Sequence, residues 1–262
     1  MTLMRSLSML LPLSSKRVLA PLLLAALMLP AQARAAETSI AVAANFTAPA
    51  KQLAVAFQRQ TGDALALSFG SSGQLVAQIT QGAPYEVFLS ADAARPQKLE
   101  TMGLGVPGTC FTYAIGKLVL WSAEPGLIDP EGKVLSNGKF THIAIANPTS
   151  APYGAAALET LKALGIYDAV APKIVTGENI TQTYQFVASF NAELGFVALS
   201  QVIQTKKGSE WLVPQTMYTP IKQDAVLLKA GENDPVAKAF LAYLKTPAAL
   251  AVIRSYGYAT AP

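Results

Sequence analysis

A predicted strand meets a predicted helix within the stretch Ser68-Phe69-Gly70-Ser71-Ser72-Gly73-Gln74-Leu75. Residues 64–69 are apolar enough for a buried strand, and from Leu75 onward apolar residues recur at helical spacing. Ser71 and Gln74 have the spacing of a capping box, in which two residues bond each other's backbone at a helix start. Backbone N–H groups, two hydroxyls and a helix dipole therefore converge on one point that carries no charged side chain. Such a point suits a small anion, although an ordinary capped helix has the same pattern.

Three further strand-to-helix junctions share this chemistry. They span residues 43–47, 147–154 and 176–180. At the first, Thr47 is placed to cap a helix that has Pro49 in its first turn. At the last, Asn179 and Gln182 have the spacing of a second capping box. Because ligands in open α/β sheets lie beyond the carboxyl ends of the strands, we expect two junctions from each half of the chain to face each other across a cleft.

Strand and helix patterns alternate along the chain and predict an α/β fold with mixed, mostly parallel sheets flanked by helices. The alternation begins with a strand at 39–43 and ends with an amphipathic helix at 236–244. The turn-rich segment 124–139 divides it into two halves, and we interpret this segment as a loop within a second lobe. A single open sheet with an insertion is the alternative.

The first 35 residues have the features of a cleavable signal peptide. A basic start is followed by an apolar core at 18–29 that is too short for a membrane span, and by the A-x-A pattern of 33–35. We therefore predict an exported, periplasmic protein whose mature chain starts at Ala36. An uncleaved membrane anchor is the alternative, and Pro30 with the small residues after it disfavours that interpretation.

The charge of the mature chain gives no support for nucleic-acid or membrane-surface binding. The whole chain has 20 Lys+Arg and 16 Asp+Glu, but four of the basic residues and none of the acidic ones lie in the first 35 residues. The remainder holds 16 of each and has a formal net charge of zero. Cys110 is the sole cysteine, so no intrachain disulfide can form and the core alone must hold the fold.

Other classes of protein fit the residues less well. A hydrolase would need a base near Ser72, but the stretch 70–73 lacks the G-x-S-x-G spacing, and the sole histidine, His142, begins a strand. A ferric-ion site would need clustered tyrosine, histidine or carboxylate ligands. The absence of repeats and of disulfides argues against a structural or adhesion module. The sequence therefore predicts no catalytic residue, no metal-ion ligand and no cofactor.

Six runs, taken in order, resemble the periplasmic molybdate-binding proteins of ABC importers. They are AVAANFT (41–47), SFGSSGQL (68–75), QGAPYEVFLSAD (81–92), YAIGKLVLW (113–121), ANPTSAPYG (146–154) and LGFVALSQ (194–201). The resemblance covers essentially the whole mature chain, and the combination of runs is more specific than any one of them.

This resemblance implies a two-lobed periplasmic-binding-protein fold with a ligand cleft between the lobes. Lobe I would comprise residues 36–115 plus 222–262, and lobe II residues 116–221. The hinges would lie near 115–117 and 220–222. The protein would be a monomer that closes its lobes on the ligand, a common motion for such receptors.

The resemblance also implies the ligand-binding residues. Asn45 and Ser72 match first-lobe ligands that act through side chain and backbone. Tyr153 and Ile180 match second-lobe positions that contribute backbone N–H groups. The chain resembles the branch of the family with asparagine at the first of these positions; other members have serine there and a tyrosine where Ala198 stands.

Two further residues are weaker candidates for ligand binding. Ala44 occupies a position that can carry a hydroxyl in the family, and here it offers its backbone amide alone. Ser71 lies beside Ser72, but capping of the helix accounts for it equally well.

The function implied is high-affinity binding of molybdate, and of tungstate, by uncharged donors, followed by delivery to a membrane permease. Phosphate at neutral pH carries a proton and needs an acceptor in its site, so a site made of donors disfavours it. Sulfate differs from molybdate mainly in size, and a sulfate- or other oxyanion-binding protein of the same fold is therefore the alternative.

Overall fold

The computed structural model describes residues 37–138, 140–205 and 207–260. The predicted signal peptide, residues 1–35, and the predicted mature start at Ala36 lie outside the described residues. Every element named below belongs to one unit of the chain, Ala35–Pro262. Among the described residues, no single helix has the length and hydropathy of a membrane span, and the last two helices pass that test only as a pair bent by 64°.

The described residues contain ten strands in two five-stranded sheets. The first sheet is built from β1 (Thr38–Ala43), β2 (Leu65–Gly70), β3 (Val87–Leu89), β4 (Phe111–Gly116) and β10 (Ile221–Leu227). Its strand order is β2-β1-β3-β10-β4. β1 pairs in parallel with β2 and β3, whereas β10 runs antiparallel to β3 and β4.

The second sheet repeats this plan. It is built from β5 (Leu118–Ser122), β6 (Ile143–Ala146), β7 (Ile174–Gly177), β8 (Leu194–Ala198) and β9 (Ser209–Leu212), in the order β7-β6-β8-β5-β9. β6 pairs in parallel with β7 and β8, and β5 runs antiparallel to β8 and β9. Each sheet is thus parallel on one side and antiparallel on the other.

Ten α-helices cover the faces of the sheets within the described residues. They are α1 (Thr47–Thr61), α2 (Ser72–Thr80), α3 (Ala94–Thr101), α4 (Val134–Asn137), α5 (Pro152–Ala163), α6 (Tyr167–Val170), α7 (Ile180–Ala188), α8 (Leu199–Val202), α9 (Pro235–Tyr243) and α10 (Pro247–Ser255). Successive side chains along a strand point to opposite faces of the sheet, so each strand contributes apolar residues to both faces. In β1, Ile40 packs with Phe57 of α1, and its neighbour Ala41 packs on the opposite face with Leu75 of α2. In β5, Leu118 and its neighbour Val119 likewise belong to different core clusters, so each sheet is buried on both sides.

The chain passes between the sheets at two places. β4 ends at Gly116 and β5 begins at Leu118, and the chain returns from β9 to β10 after Leu212. The predicted hinges at 115–117 and 220–222 lie at or next to these passages. The strands of each sheet are compatible with the predicted lobes, whose limits stay a prediction.

The structure corrects two expectations about secondary structure. Four of the eight strand pairings among the described residues are parallel, so the sheets are mixed but not mostly parallel. The reason is that the strands next to each passage between the sheets run antiparallel to their neighbours. The amphipathic helix at 236–244 is not the last one, since Thr246 caps a further helix, α10. Short elements such as α6 and β9 were also not predicted.

Candidate functional site

A small cavity lies between the two sheets, beyond the carboxyl ends of β1 and β2. The volume open to a water-sized probe is about 10 Å³, and the lining consists of Ala43, Ala44, Asn45, Ser71, Ser72, Ala91, Ala151, Pro152, Tyr153 and Ile180. All six residues singled out from the sequence are in this lining and all are buried. The structure thus brings the candidates together, while their contact with a ligand stays a prediction.

Three helices point their N-termini at this cavity. α2 begins at Ser72, α5 at Pro152 and α7 at Ile180, and each of these residues is part of the lining. The first turn of a helix has N–H groups without intrahelical partners, and the helix dipole places positive potential there. No acidic or basic side chain is among the lining residues. The cavity is therefore electropositive without a formal charge.

The start of α2 matches the pattern predicted from the sequence. The Ser71 hydroxyl accepts from the Gln74 N–H at 3.3 Å, and the Gln74 side-chain oxygen accepts from the Ser71 N–H at 3.1 Å. The neighbouring Ser72 hydroxyl accepts from the Ala91 N–H at 2.9 Å. Because that bond leaves the hydroxyl proton of Ser72 free, this side chain is set up to donate into the cavity.

The start of α7 is capped, although not by the reciprocal pair that the spacing predicted. The Asn179 side-chain oxygen accepts from the N–H groups of Thr181 and Gln182, at 3.0 and 3.1 Å. The Gln182 side chain accepts from the Glu178 N–H at 2.6 Å and not from Asn179 itself. No described bond uses the N–H of Ile180, which is left for the cavity.

At the start of α5, Tyr153 combines an available N–H with a buried phenol. Among the described bonds none uses its N–H, and its hydroxyl accepts from the Gln223 side-chain nitrogen at 3.2 Å. Burial raises the pKa of the Tyr153 phenol well above its ordinary value and that of Tyr258 to about 12. Both hydroxyls are thus neutral at physiological pH.

The Asn45 side chain is held in a buried hydrogen-bond network. Its side-chain nitrogen contacts Gln223 Oε1 and the Tyr258 hydroxyl, both at 2.9 Å. Its backbone oxygen accepts from Ser200 at 2.9 Å. The prediction that Thr47 caps the next helix was wrong, because the Thr47 hydroxyl points back to the Ala44 oxygen, at 2.7 Å, and α1 has no side-chain cap.

The two sheets contact each other directly around the cavity. The Gly73 N–H donates to the Ser150 oxygen at 2.8 Å, and an Arg95 Nη2–H donates to the Thr149 oxygen at 2.8 Å. The Ser200 bond to Asn45 also joins residues of the two sides. The two sides are therefore in direct contact at the cavity.

The sequence and the fold match a known group of proteins. The model of the bacterial extracellular solute-binding protein family matches residues 38–259. The chain belongs to this family. It is 58% identical over 228 residues to the molybdate-binding protein ModA of Rhodobacter capsulatus, an alignment that covers 87% of this chain and 90% of that protein.

Solved structures of solute-binding proteins confirm the predicted two-lobed α/β fold. The periplasmic molybdate-binding protein of Azotobacter vinelandii superposes with a TM-score of 0.84 at 46% identity, over 86% of this chain and all of that one. The sulfate-binding protein SubI of Mycobacterium tuberculosis has a TM-score of 0.71 at 12% identity, over 86% of each chain, and shares the fold alone. The resemblance inferred from the six sequence runs is confirmed.

In this solute-binding protein, the residues that support the cavity were not found from the sequence. Gln223, Tyr113, Tyr258 and Ser200 form the network around Asn45, and Gln201 bridges the Ala198 N–H and the Ile180 oxygen. Gln223 lies between Lys222 and Asp224 in β10, so its polarity did not single it out.

Residues of the competing interpretations lie elsewhere. His142 is exposed and is not part of the cavity lining. Glu178, whose charge would repel an anion, is likewise exposed and outside the lining. Among the described residues, no group of three or more histidine, cysteine or acidic side chains is arranged to hold a metal ion.

Proposed function

We propose that this protein binds molybdate, and tungstate, as whole tetrahedral oxyanions in the cavity between its two sheets. The observation that carries the proposal is the meeting of three helix N-termini and the Ser72 hydroxyl on a cavity without charged side chains. The names of its close relatives support the choice of ligand. The ligand contacts would be Asn45, Ser72, Tyr153 and Ile180, with Ala44 and Ser71 adjacent.

Uncharged donors are strong enough for this task. A hydrogen bond to an ionised group contributes roughly 1.5–3 kcal/mol, and each helix terminus adds about 0.3–1 kcal/mol. Six such donors sum to on the order of 10 kcal/mol before the cost of association, and a dissociation constant of 1 μM corresponds to about −8 kcal/mol. Binding at micromolar or lower concentrations therefore needs no lysine or arginine.

The same donors discriminate among anions. A fully deprotonated oxyanion accepts hydrogen bonds at every oxygen, whereas hydrogen phosphate also presents a proton that needs an acceptor. Sulfate matches molybdate in charge and shape, so the size of the closed cavity must separate the two.

We infer a transport role with no catalytic activity. Ser72 has no base beside it, since the lining contains no histidine or carboxylate and the hydroxyl's described partner is a backbone N–H. A closed form that the ligand stabilises is what a membrane permease of an ABC importer would recognise. The protein would act in the periplasm as a monomer without a cofactor.

Calorimetric titration of the mature protein tests the proposal. Molybdate and tungstate are expected to bind with submicromolar dissociation constants, and phosphate is expected to give no binding heat. Sulfate that binds as tightly as molybdate would favour the alternative, an oxyanion receptor of the same fold for sulfate. Absence of heat with all four anions would contradict the proposal outright.

A further inference from the structure

The side-chain amides of Asn45 and Gln223 face each other inside the protein. Asn45 Nδ2 lies 2.9 Å from Gln223 Oε1 and 2.9 Å from the Tyr258 hydroxyl. Gln223 is fully buried and comes from β10, the strand that follows the second passage between the sheets. Its Oε1 also contacts the Tyr113 hydroxyl at 3.1 Å, and its Nε2 contacts the Tyr153 hydroxyl at 3.2 Å.

In this arrangement the oxygen of the Asn45 amide faces the cavity, and an oxygen cannot donate a hydrogen bond to an anion. Both protons of Asn45 Nδ2 are used within the protein, and Oδ1 has no described partner. No buried side-chain nitrogen or oxygen among the described residues lacks a partner, so Oδ1 is the atom open to the cavity that Asn45 lines. A carbonyl oxygen there would repel an oxyanion.

The arrangement also leaves protons without acceptors. The Tyr153 hydroxyl accepts from Gln223 but donates to no group among the described bonds, and the second proton of Gln223 Nε2 has no described acceptor. Both groups are buried, and buried donors normally have acceptors.

Exchanging the oxygen and nitrogen of both amides together removes these defects. The oxygen and nitrogen of such a group are distinguished by their hydrogen-bond partners. After the exchange, Gln223 Nε2 donates to Asn45 Oδ1 and to the Tyr113 hydroxyl, which can still donate to the Ser90 oxygen, at 3.0 Å. The Tyr153 hydroxyl then donates to Gln223 Oε1.

The remaining hydrogen-bond partners of Asn45 can also form bonds in the exchanged arrangement. The Tyr258 hydroxyl, which donates to the Asn45 backbone oxygen at 2.8 Å, would donate to Asn45 Oδ1 instead, and that backbone oxygen keeps its bond from the Ser200 hydroxyl. Asn45 Nδ2 is then the atom that faces the cavity, and it carries protons for an anion.

We propose that Gln223 is a positioning residue that turns the amide nitrogen of Asn45 toward the cavity and thereby determines the preference for fully deprotonated oxyanions. The proposal rests on the proposed function. In one arrangement of the amide pair the cavity offers an acceptor, which suits a protonated anion such as hydrogen phosphate. In the other it offers donors alone, which suits molybdate.

A double-mutant cycle on the mature protein tests whether Gln223 acts through Asn45. Molybdate and phosphate are titrated into the unsubstituted protein, Gln223→Met, Asn45→Ala and the double variant. We expect Gln223→Met to weaken molybdate binding about 10- to 100-fold, to lower the molybdate-to-phosphate preference, and to have little further effect once Asn45 is alanine. Equal effects of Gln223→Met in both backgrounds would overturn the proposal.

Thr112→Val is the matched control for the cycle. Thr112 lies on β4, which pairs with β10, and its hydroxyl bonds Asp224 at 2.7 Å outside the network. This variant should keep both the affinity and the preference of the unsubstituted protein. If Thr112→Val lost as much molybdate affinity as Gln223→Met, any disturbance of these strands would weaken binding, and the proposal would also be overturned.

Neutron diffraction from perdeuterated crystals of the unsubstituted protein tests the orientation of the Gln223 amide without a variant or a bound anion. It distinguishes an ND₂ group from an oxygen directly. Deuterium on the Gln223 atom that faces Tyr113 supports the proposal, and oxygen at that position overturns it. Failure of molybdate and tungstate to bind the unsubstituted protein would instead reject the proposed function, and the diffraction result would still decide the orientation of Gln223.

Discussion

The backbone N–H of Gly73 donates to the carbonyl oxygen of Ser150, at 2.8 Å, across the contact between the two sheets. Gly73 is the second residue of α2, and Ser150 lies just before α5. The two helix starts that flank the cavity are therefore tied to each other directly. A Cβ atom on Gly73 would lie 2.9 Å from the Ser150 Cα, so the contact requires glycine.

Gly73→Ala should weaken molybdate binding while leaving the anion-free fold intact. The added methyl group meets backbone, which cannot move aside as a flexible side chain would. Overpacking of this kind costs about 1–3 kcal/mol, which corresponds to a loss of roughly 5- to 150-fold in affinity. Calorimetry measures the affinity, and small-angle scattering measures whether molybdate still closes the lobes. Ala77→Ser, which adds one atom at an exposed position of the same helix, is the control and should bind normally.

Ser72→Ala should weaken molybdate binding by about 1–3 kcal/mol, because the hydroxyl proton that faces the cavity is lost. The Ala91 N–H also loses its acceptor, so a modest drop in thermal stability is expected. Thr246→Ala separates the two effects, since it removes the cap of α10 far from the cavity and should lower stability without changing affinity. An unchanged dissociation constant for Ser72→Ala would remove this side chain from the site.

Tyr153→Phe should change molybdate affinity by less than about threefold. The proposed contact uses the backbone N–H of Tyr153, which the substitution keeps, and Gln223 retains its bonds to Tyr113 and Asn45. Thermal unfolding should show a loss of about 1 kcal/mol, because the buried bond to Gln223 is removed. A loss of affinity as large as that of Ser72→Ala would mean that the phenol itself contacts the anion.

The Glu193 carboxylate should make the stability of the second sheet depend on acid pH. Burial raises the pKa of this carboxyl, but hydrogen bonds from the His142 and Thr141 N–H groups outweigh burial and hold the pKa below its ordinary value of 4.5. A carboxyl whose pKa is lowered by folding contributes stability above its ordinary pKa and loses that stability as the pH falls through the folded pKa.

Glu193→Gln should therefore flatten the fall in stability below about pH 4.5. Thermal unfolding between pH 3 and pH 6 measures the effect. Glu210→Gln, at an exposed carboxylate on β9, is the control and should keep the acid dependence of the unsubstituted protein. A Glu193→Gln variant with that same dependence would contradict the assignment.

The parts of the fold that could be predicted depend on short sequence separations. Ser71 and Gln74 are three residues apart, so their bonds are fixed by local spacing and the capping box appears as expected. Strands such as β1 and β6 are short apolar runs bounded by turn residues. The rule that ligands lie beyond strand ends predicted that the junctions meet, and the family resemblance supplied the candidate residues that line one cavity.

The parts that could not be predicted depend on long separations. Asn45 and Gln223 are 178 positions apart, and nothing local to either residue indicates the other. The Gly73 contact with Ser150 likewise exists because two lobes meet. Thr47 shows the opposite failure: its local pattern favoured a cap, but the preceding 3₁₀ turn at Ala44–Phe46 turned its hydroxyl backward.

The three helix N-termini at the cavity come from both sheets, and this has a consequence for release of the anion. α2 approaches the cavity from the first sheet, and α5 and α7 approach from the second. If the two halves separated, each would keep only a part of the dipoles, and a bound anion would lose several of its donors at once. No ion pair among the described residues would have to break, and the lining would carry no net charge to draw the anion back.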